Sequence, residues 1–450
     1  MSAEAPGAPR PRPRLHFTAS DGWVNDPYGL TWTGDRYHLF YQALPGRVTW
    51  APDCQWGHAE SPDLVHWSEQ PLALVPQSFE VGCWSGSFIV DQGGRGTILY
   101  TRIAGDDWGQ GKVALARGDR SFRQWVTTAD DVVIDGPPPG LGVHSFRDPY
   151  VFRYEGGWTM VMAAGLADGS GAALQYRSAD LRHWSYDGVL CSRLSSAEDQ
   201  VWTGALWECP QLFPLGGDWV LLVSVWDADE LHYVAGAIGD YDGRKFSPRS
   251  WQRLTYGPSA YAMSSFVDKE DKRCVISWLR EEPRNNPSLV QRAGAHSVAS
   301  LLVREEDGLL GLRPHTDVLA LAGPASPFPV EGSSELCRHG GPVLVTLSPA
   351  TADQLALGAP GAVRAEIRVE RGRHRVQVVR PGFGDLEMPL SEGANGHDVD
   401  VLVDSDLVEV FARGSYGAFR LLPSRDGGVT EFQLSGMMPE QAVVRLFPGV

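Results

Sequence analysis

The sequence lacks long apolar runs, paired cysteines and an excess of positive charge. No stretch reaches the roughly 18 consecutive apolar residues of a transmembrane helix, so we expect no membrane span. The six cysteines are scattered without a CxxC pair, which argues against a disulfide framework or a metal site. The net charge of −16 argues against nucleic acid or an anionic membrane as a partner, because both require a basic surface.

The first residues also lack the apolar segment of a secretory signal. Residues 1–14, MSAEAPGAPRPRPR, are rich in proline and arginine, and we expect a disordered tail there. We therefore expect residence in the cytoplasm, or secretion if a signal was trimmed from this chain.

What the sequence does contain is a repeat of aromatic residues that each follow a polar turn. The segments SPDLVHW, GDRSFRQW, SADLRHW and YDGRKF end at Trp67, Trp125, Trp184 and Phe246, at intervals of 58, 59 and 62 residues. Short alternating strands lie between them, separated by Gly, Asp and Pro turns. A repeat of this length has room for four strands and fits a β-propeller blade with long loops. The alternative is a β-sandwich in which the aromatic spacing is coincidental.

A second series of residues favours the propeller. Asp26, Ser85, Asp148, Glu208 and Tyr261 lie 59, 63, 60 and 53 residues apart, each near the start of a repeat. Equivalent strands of a propeller face one central channel, so these five residues would converge there. We predict an all-β chain with a five-bladed β-propeller over residues 15–315.

The remainder of the chain has a different pattern. Residues 316–335 predict a short helical piece and a Pro/Gly linker. Strands such as AVRAEIRVE, HDVDVLVD and LVEVFAR alternate apolar and polar residues and predict a C-terminal β-sandwich over residues 336–450.

The first of three acidic segments is WVNDPYG, residues 23–29. Pro27 biases Asp26 away from helix, and Gly29 permits a tight turn, so Asp26 is expected in a rigid bend at a strand edge. The alternative is a plain Asn-Asp-Pro turn, which is the commoner use of these residues.

The second segment, SFRDPYVF (residues 145–152), repeats the Asp-Pro pair at Asp148. Arg147 beside it forms either a surface ion pair or a contact that keeps a carboxylate ionised to accept hydrogen bonds from hydroxyl groups. The recurrence of Asp-Pro in two different blades favours a functional role.

The third segment, LWECPQLF (residues 206–213), places Glu208 inside an otherwise apolar strand. A carboxyl group in apolar surroundings has a raised pKa, which suits a general acid near neutral pH. The alternative is a strand glutamate that faces solvent. Glycoside cleavage requires two carboxyl groups across the scissile bond, and residues from opposite parts of a ring meet that need, whether the reaction retains or inverts configuration.

These segments resemble motifs of glycoside hydrolase family 32, which contains invertases, levanases and related fructosyl-transferring enzymes. WVNDPYG resembles the nucleophile motif, and LVDSDLVEVFARG (402–414) resembles a strand motif of the family's C-terminal sandwich. The other similar segments are YHLFYQ (37–42), WGHAESPDLVHW (56–67), CWSGSF (83–88), FRDPYVF (146–152) and WECPQLF (207–213).

The resemblance implies a five-bladed propeller followed by a sandwich, and a retaining mechanism. Asp26 would attack C2 of a fructosyl unit, and Glu208 would protonate the leaving oxygen and then activate water. Asp148 would bind ring hydroxyl groups, with Arg147 alongside. The resemblance implies no metal and no organic cofactor, and it places further residues in the fructose pocket: Asn25, Gln42, Trp50, Trp84 and Ser85.

The chain departs from the family pattern at three positions. Tyr28 replaces the usual Asn after NDP, which would reshape the pocket rim. Ser259 stands where an Asp is usual, and Arg292 stands where a Trp is usual. These departures put the identity of the fructoside in doubt rather than the chemistry.

We therefore expect a monomer or homodimer that hydrolyses terminal β-fructofuranosides such as sucrose or short fructans. One alternative passes the fructosyl unit to a sugar hydroxyl, as a fructosyltransferase or a levan fructotransferase does. A second alternative is a carbohydrate-binding protein without catalysis.

Overall fold

The computed structural model describes residues 12–91, 93–282, 291–327, 341–348, 354–359, 362–391, 398–421, 432–435, 443–448 and 450. Its regular structure is almost entirely β, as the sequence predicts. None of the helices in these ranges is long and apolar enough to cross a membrane.

Five antiparallel sheets follow one another along the first two thirds of the chain. The first two sheets contain β1 (Gly22–Trp32), β2 (Tyr37–Leu44), β3 (Gln55–Ser61) and β4 (Ser68–Glu69), then β5 (Gly82–Val90), β6 (Gly96–Ile103), β7 (Lys112–Gly118), β8 (Trp125–Val126) and β9 (Val132–Ile134). The next two contain β10 (Val143–Tyr154), β11 (Gly157–Leu166), β12 (Gly171–Ser178) and β13 (Trp184–Arg193), then β14 (Leu206–Leu215), β15 (Asp218–Asp227), β16 (Glu230–Tyr241) and β17 (Phe246–Arg253). After the short β18 (Thr255–Tyr256), the fifth contains β19 (Ala260–Val267), β20 (Arg273–Leu279), β22 (Ala295–His296), β23 (Ser300–Arg304) and β24 (Leu310–Pro314).

These sheets are the blades of a five-bladed β-propeller. The first strands, β1, β5, β10, β14 and β19, contact one another in that order, and β19 contacts β1, so the ring is closed. The short strand β21 (Arg292–Ala293) pairs in parallel with β1 and ties the last blade to the first. The five-bladed propeller predicted from the spacing is therefore confirmed.

Apolar side chains fill the spaces between neighbouring blades. Strand β11 is buried along nearly its whole length, which explains its continuous apolar run. Its Met160 and Met162 pack with Leu99 of the second blade, whereas Val161 packs with Leu221 of the fourth.

The aromatic repeat is a structural anchor of the blades. The indole N–H groups of Trp67, Trp125 and Trp184 each donate to the carbonyl oxygen three residues earlier, at 2.9–3.0 Å. Each accepting residue has a positive φ, between 56° and 67°. Trp125, Trp184 and Phe246 each begin the fourth strand of a blade. The repeat therefore marks where the chain enters the outer edge of a blade.

The rest of the chain forms a β-sandwich. One sheet has the order β18-β33-β32-β31-β26-β35-β25, and the other has the order β30-β29-β28-β27-β34. Their strands are β25 (Ser326–Pro327), β26 (Val343–Leu347), β27 (Gln354–Ala359), β28 (Ala362–Glu370), β29 (Arg375–Val379), β30 (Leu386–Pro389), β31 (Val399–Asp404), β32 (Leu407–Ala412), β33 (Ser415–Arg420), β34 (Phe432–Ser435) and β35 (Val443–Leu446). A 3-10 turn, Arg371–Arg373, joins β28 to β29, and the inward residues of both sheets form one apolar core.

The segment predicted as a linker is partly ordered structure. It begins with the expected helix, α1 (Thr316–Ala320), but Ser326–Pro327 joins the sandwich sheet as β25. The domain boundary at 335 stays a prediction, since residues 328–340 lie outside the described residues.

The predicted disordered tail needs a correction at its end. Residues 1–11 lie outside the described residues, but residues 12–14 are described. The backbone N–H of Arg14 donates to both carboxylate oxygens of Asp404 at 2.9 Å, and that of Leu15 donates to Oδ2 at 2.7 Å. Hydrogen bonds to the buried carboxylate of Asp404 in the sandwich therefore order the end of a segment that composition alone predicts to be disordered.

Candidate active site

All five inner strands carry a pairing irregularity of the β-bulge kind within two residues of a member of the predicted series. The regular pairing is interrupted after Val24, Trp84, Arg147, Glu208 and Tyr261. A bulge turns a side chain out of the regular alternation, and bulges are common beside active sites. The predicted series is confirmed on the inner strands, although its members differ by up to two residues in position relative to the bulge.

Asp26 lies within the bulge of β1, between Val24 and Pro27, and is held by three neighbouring groups. The Ser85 hydroxyl donates to Oδ2 at 2.7 Å, and the Asn25 amide donates to Oδ1 at 3.1 Å. The Cys209 sulfur lies 3.6 Å from Oδ2. Burial and the charge of Glu208 raise the pKa of Asp26 to about 6, against the effect of these hydrogen bonds. Asp26 is therefore a carboxylate near neutral pH.

Strand β1 differs in detail from the expected bend. Pro27 and Gly29 do not form a turn between elements but lie inside β1, which has a second pairing irregularity between Tyr28 and Thr31. Gly29 has φ +61°, and a Cβ there would lie 2.5 Å from the Cβ of Phe88. A glycine is thus needed where the first two blades approach most closely.

Asp148 lies at the bulge of β10 with φ +59°. Its backbone N–H donates to the Thr101 hydroxyl at 2.8 Å, and its Oδ2 accepts from the backbone N–H of Cys209 at 3.0 Å. Burial raises the pKa of Asp148, whereas the positive charge of Arg147 opposes the rise. These bonds fix a carboxylate that aims into the channel between the third and fourth blades.

Glu208 is surrounded by polar groups, so the prediction of apolar surroundings is wrong. Arg147 donates from Nε and Nη2 to Oε1 at 3.0 and 2.8 Å. The Tyr261 hydroxyl donates to Oε2 at 2.6 Å. Arg147 is largely buried, so its reading as a surface ion pair is also wrong, and its hydrogen bonds go to Glu208 rather than to its neighbour Asp148.

The predicted pocket residues Asn25, Gln42 and Ser85 form one buried chain of hydrogen bonds. The Asn25 amide donates to Oε1 of Gln42 at 2.8 Å, and Nε2 of Gln42 donates to the Ser85 hydroxyl at 2.6 Å. Because that hydroxyl in turn donates to Asp26, the orientations of both side-chain amides and of the hydroxyl group are fixed. The chain therefore presents fixed donors to the carboxylate before any substrate arrives.

The predicted tryptophans lie beside this chain. Trp84 is nearly buried, and its indole N–H donates to the carbonyl oxygen of Pro52 at 2.8 Å. The ring of Trp50 packs edge-on against it, with 5.6 Å between centroids. The residues that the sequence placed in the site are thus linked to one another by direct contacts or as neighbours in the chain.

Comparison with known proteins agrees with this geometry. Residues 16–308 match the model of the glycosyl hydrolases family 32 N-terminal domain. The chain belongs to glycoside hydrolase family 32. It is 36% identical to a sucrose-6-phosphate hydrolase of Escherichia coli over 67% of this chain and 64% of that enzyme, which is just under two thirds of the relative. It is 30% identical to a sucrose-6-phosphate hydrolase of Salmonella typhimurium over 95% of this chain and 91% of that enzyme.

Solved structures show the same fold for this family 32 glycosidase. A β-fructofuranosidase of Bombyx mori superimposes with a TM-score of 0.80 at 23% identity and covers 98% of this chain and 94% of its own. A sucrose-6-phosphate hydrolase from Lactobacillus gasseri superimposes with a TM-score of 0.79 at 22% identity over 97% and 92% of the two chains.

Two of the glycosidase's three departures from the family pattern are buried. Tyr28 is buried with its ring centroid 4.1 Å from that of Trp56, and it is among the residues that line a cavity of about 380 Å³ together with Ser85 and Asp148. Ser259 is fully buried, and its backbone N–H donates to Ala418 of the sandwich at 3.3 Å. Arg292 is half-buried in β21, opposite Gly22 of β1.

Sequence reasoning missed roles for three residues in this glycosidase. Tyr261 belonged to the predicted series, but nothing in its motif indicated a bond to Glu208. Cys209 was visible in WECPQLF, and its place after Glu208 puts its N–H against Asp148. Thr101 lies on β6, and only strand pairing with β5 brings it to the site.

The described residues of the glycosidase contain two buried clusters with metal-ligand side chains. In the first, His38, His58 and Glu60 lie together, but Glu60 already pairs with Arg36 and Arg123. In the second, Asp268, Cys274 and His315 lie together. His315 Nε2 bonds Asp268 at 2.9 Å, and its Nδ1 accepts from the backbone N–H of Asp317 in the first turn of α1. Both ring nitrogens therefore already have hydrogen-bond partners.

Proposed function

We propose that this glycosidase hydrolyses terminal β-fructofuranosidic bonds, such as that of sucrose or a short fructan, by double displacement. Asp26 is the nucleophile, Glu208 is the acid and base, and Asp148 binds the sugar hydroxyl groups. The names of the relatives, which include a levanase of Bacillus subtilis and a fructan 1-exohydrolase of Triticum urartu, support a fructoside as the substrate.

One observation carries the assignment of Asp26 and Glu208. They lie 182 residues apart in the chain, yet the sulfur of Cys209, the residue after Glu208, is 3.6 Å from Oδ2 of Asp26. Two carboxyl groups about 5 Å apart suit a covalent intermediate, whereas a wider gap leaves room for a water molecule between them. The close approach of the two segments, and the effect of the Glu208 charge on the pKa of Asp26, support placing both carboxyl groups at one site, and membership of family 32 supports the retaining route.

The surroundings of each carboxyl group suit a different step. Asp26 accepts hydrogen bonds from Ser85 and Asn25, so its charged form is available to attack C2. Glu208 has Arg147 on one oxygen and the Tyr261 hydroxyl on the other, which fixes the plane of the carboxyl group. From that position it gives a proton to the leaving oxygen and later takes one from water. The N–H of Cys209 fixes Asp148 for contacts with hydroxyl groups.

The test is the activity of Asp26→Asn and Glu208→Gln on sucrose, measured by release of fructose. Each change should lower kcat by roughly a thousandfold or more with the fold intact by circular dichroism. Asp35→Asn, which neutralises an exposed carboxylate of the first blade, is the control and should retain activity. Unchanged turnover in either site variant contradicts the roles. Equal amounts of glucose and fructose indicate hydrolysis, whereas excess glucose indicates transfer.

A further inference from the structure

Three tryptophans form a row that leads from the site to the surface. Trp84 follows Cys83 at the start of β5 and directly precedes Ser85, and it is 9% exposed. Trp50 packs on Trp84, and Trp108 packs on Trp50 with 6.3 Å between ring centroids. Trp50 and Trp108 are 42% and 43% exposed. Aromatic side chains of this size are normally buried, so two half-exposed indoles beside a sugar site indicate a surface that a ligand covers.

The loop that carries Trp108 is fixed to the catalytic strand of the next blade. The backbone N–H of Phe146 donates to the carbonyl oxygen of Gly109 at 2.8 Å, and the N–H of Gly111 donates to that of Phe146 at 2.9 Å. Phe146 lies two residues before Asp148 on β10. These two bonds tie the backbone next to Trp108 to the strand that carries Asp148, although Trp108 lies on a loop between β6 and β7.

The charge around Trp108 is negative. Asp106 and Asp107 are both exposed, and Oδ1 of Asp107 accepts from the N–H of Gly109 at 3.0 Å. The basic residues closest along the chain to Trp50 and Trp108 are engaged with carboxylates, since Arg47 bonds Asp53 at 2.7 Å and Lys112 bonds Asp135 at 2.5 Å. Carboxylates beside an aromatic ring accept hydrogen bonds from sugar hydroxyl groups, but they repel a phosphate.

We propose that Trp108, with Asp106 and Asp107, forms an outer subsite for neutral sugar units beyond the cleaved bond. This inference rests on the proposed fructosidase function and narrows its substrate class. The enzyme favours unphosphorylated fructosides with more than two sugar units over a phosphorylated disaccharide, whatever the preference of its named relatives.

The first test compares wild type with Trp108→Ala on sucrose and on 1-kestose, a trisaccharide. The stacking lost with Trp108 predicts a kcat/KM on 1-kestose lower by about threefold to tenfold, with a smaller change on sucrose. Tyr186→Ala is the control, because Tyr186 is 40% exposed on the outer strand β13 and should leave both substrates unaffected. Equal losses on the two substrates, or no loss on either, overturn the subsite.

The second test measures the ratio of kcat/KM on sucrose 6-phosphate to that on sucrose. Wild type should favour sucrose, and the double variant Asp106→Asn, Asp107→Asn should raise the ratio about threefold to tenfold at low salt, less at high salt. The amide introduced by Asp107→Asn keeps an oxygen for the N–H of Gly109, so the loop is preserved. A wild-type preference for the phosphate, or a ratio that the double variant leaves unchanged, overturns the charge argument. Failure of wild type to release fructose from all three sugars contradicts the proposed function instead.

Discussion

Removal of the Ser85 hydroxyl gives a direct test of how the site sets the charge of Asp26. That hydroxyl donates to Oδ2 at 2.7 Å and therefore favours the carboxylate. The pKa of Asp26 is already raised to about 6 by burial and by Glu208, with Ser85 opposing the rise. A hydrogen bond to a charged group contributes about 1.5–3 kcal/mol, and one pKa unit corresponds to about 1.4 kcal/mol. In Ser85→Ala, the pKa of Asp26 should therefore rise by about one to two units.

The assay is the pH dependence of kcat/KM on sucrose, which reports ionisations of the free enzyme. Activity of the wild type should fall as the pH drops through about 6, and in Ser85→Ala this acid limb should move up to about pH 7–8. Ser85→Thr keeps a hydroxyl group and should restore the wild-type limb. Ser87→Ala is a second control, because the Ser87 hydroxyl donates to the carbonyl oxygen of Pro149 instead. An acid limb that stays in place or moves to lower pH in Ser85→Ala refutes the reasoning.

Two further predictions concern Tyr261 and His16. Tyr261→Phe removes the donor to Oε2 of Glu208, so kcat should fall about tenfold with little change in the denaturation midpoint; an unchanged kcat contradicts a positioning role. Burial opposes the charge of His16, but Asp404 and Glu409 raise its pKa from 6.5 to about 9. Its imidazolium therefore stabilises the fold fully below pH 6.5, by about 3 kcal/mol, and this contribution is lost as the pH rises through 9. In urea denaturation, the free energy of unfolding of His16→Gln should not decrease for this reason as the pH rises through 9. An identical pH dependence in variant and wild type contradicts this prediction.

The sequence predicted the ring of blades because its signal repeats. Trp67, Trp125 and Trp184 occupy the same turn in three blades, so the same local conformation recurs three times along the chain. The inner-strand series was visible for the same reason. The exact position of each member relative to its bulge could not be predicted, because a bulge adds a residue without changing the composition of a strand.

The surroundings of Glu208 were not predictable from its own strand. Its neighbours in the chain are apolar, but the groups that contact its carboxyl oxygens come from Arg147 on the third blade and Tyr261 on the fifth. The sequence of one strand predicts which residues lie on each of its faces, whereas the side chains at the centre of the ring come from several blades. Tyr28 was expected to reshape the pocket rim, but its ring is buried against Trp56 in the apolar core between the first two blades, which only the packing of β1 shows.

The short strand β18 has a practical consequence for anyone who wishes to produce the two domains separately. Thr255 and Tyr256 belong by sequence to the connection between the fourth and fifth blades, yet they complete the edge of a sandwich sheet beside β33. A sandwich expressed without the propeller would expose a bare backbone edge, which invites pairing between copies. Such a fragment should aggregate unless a strand replacing β18 is supplied with it.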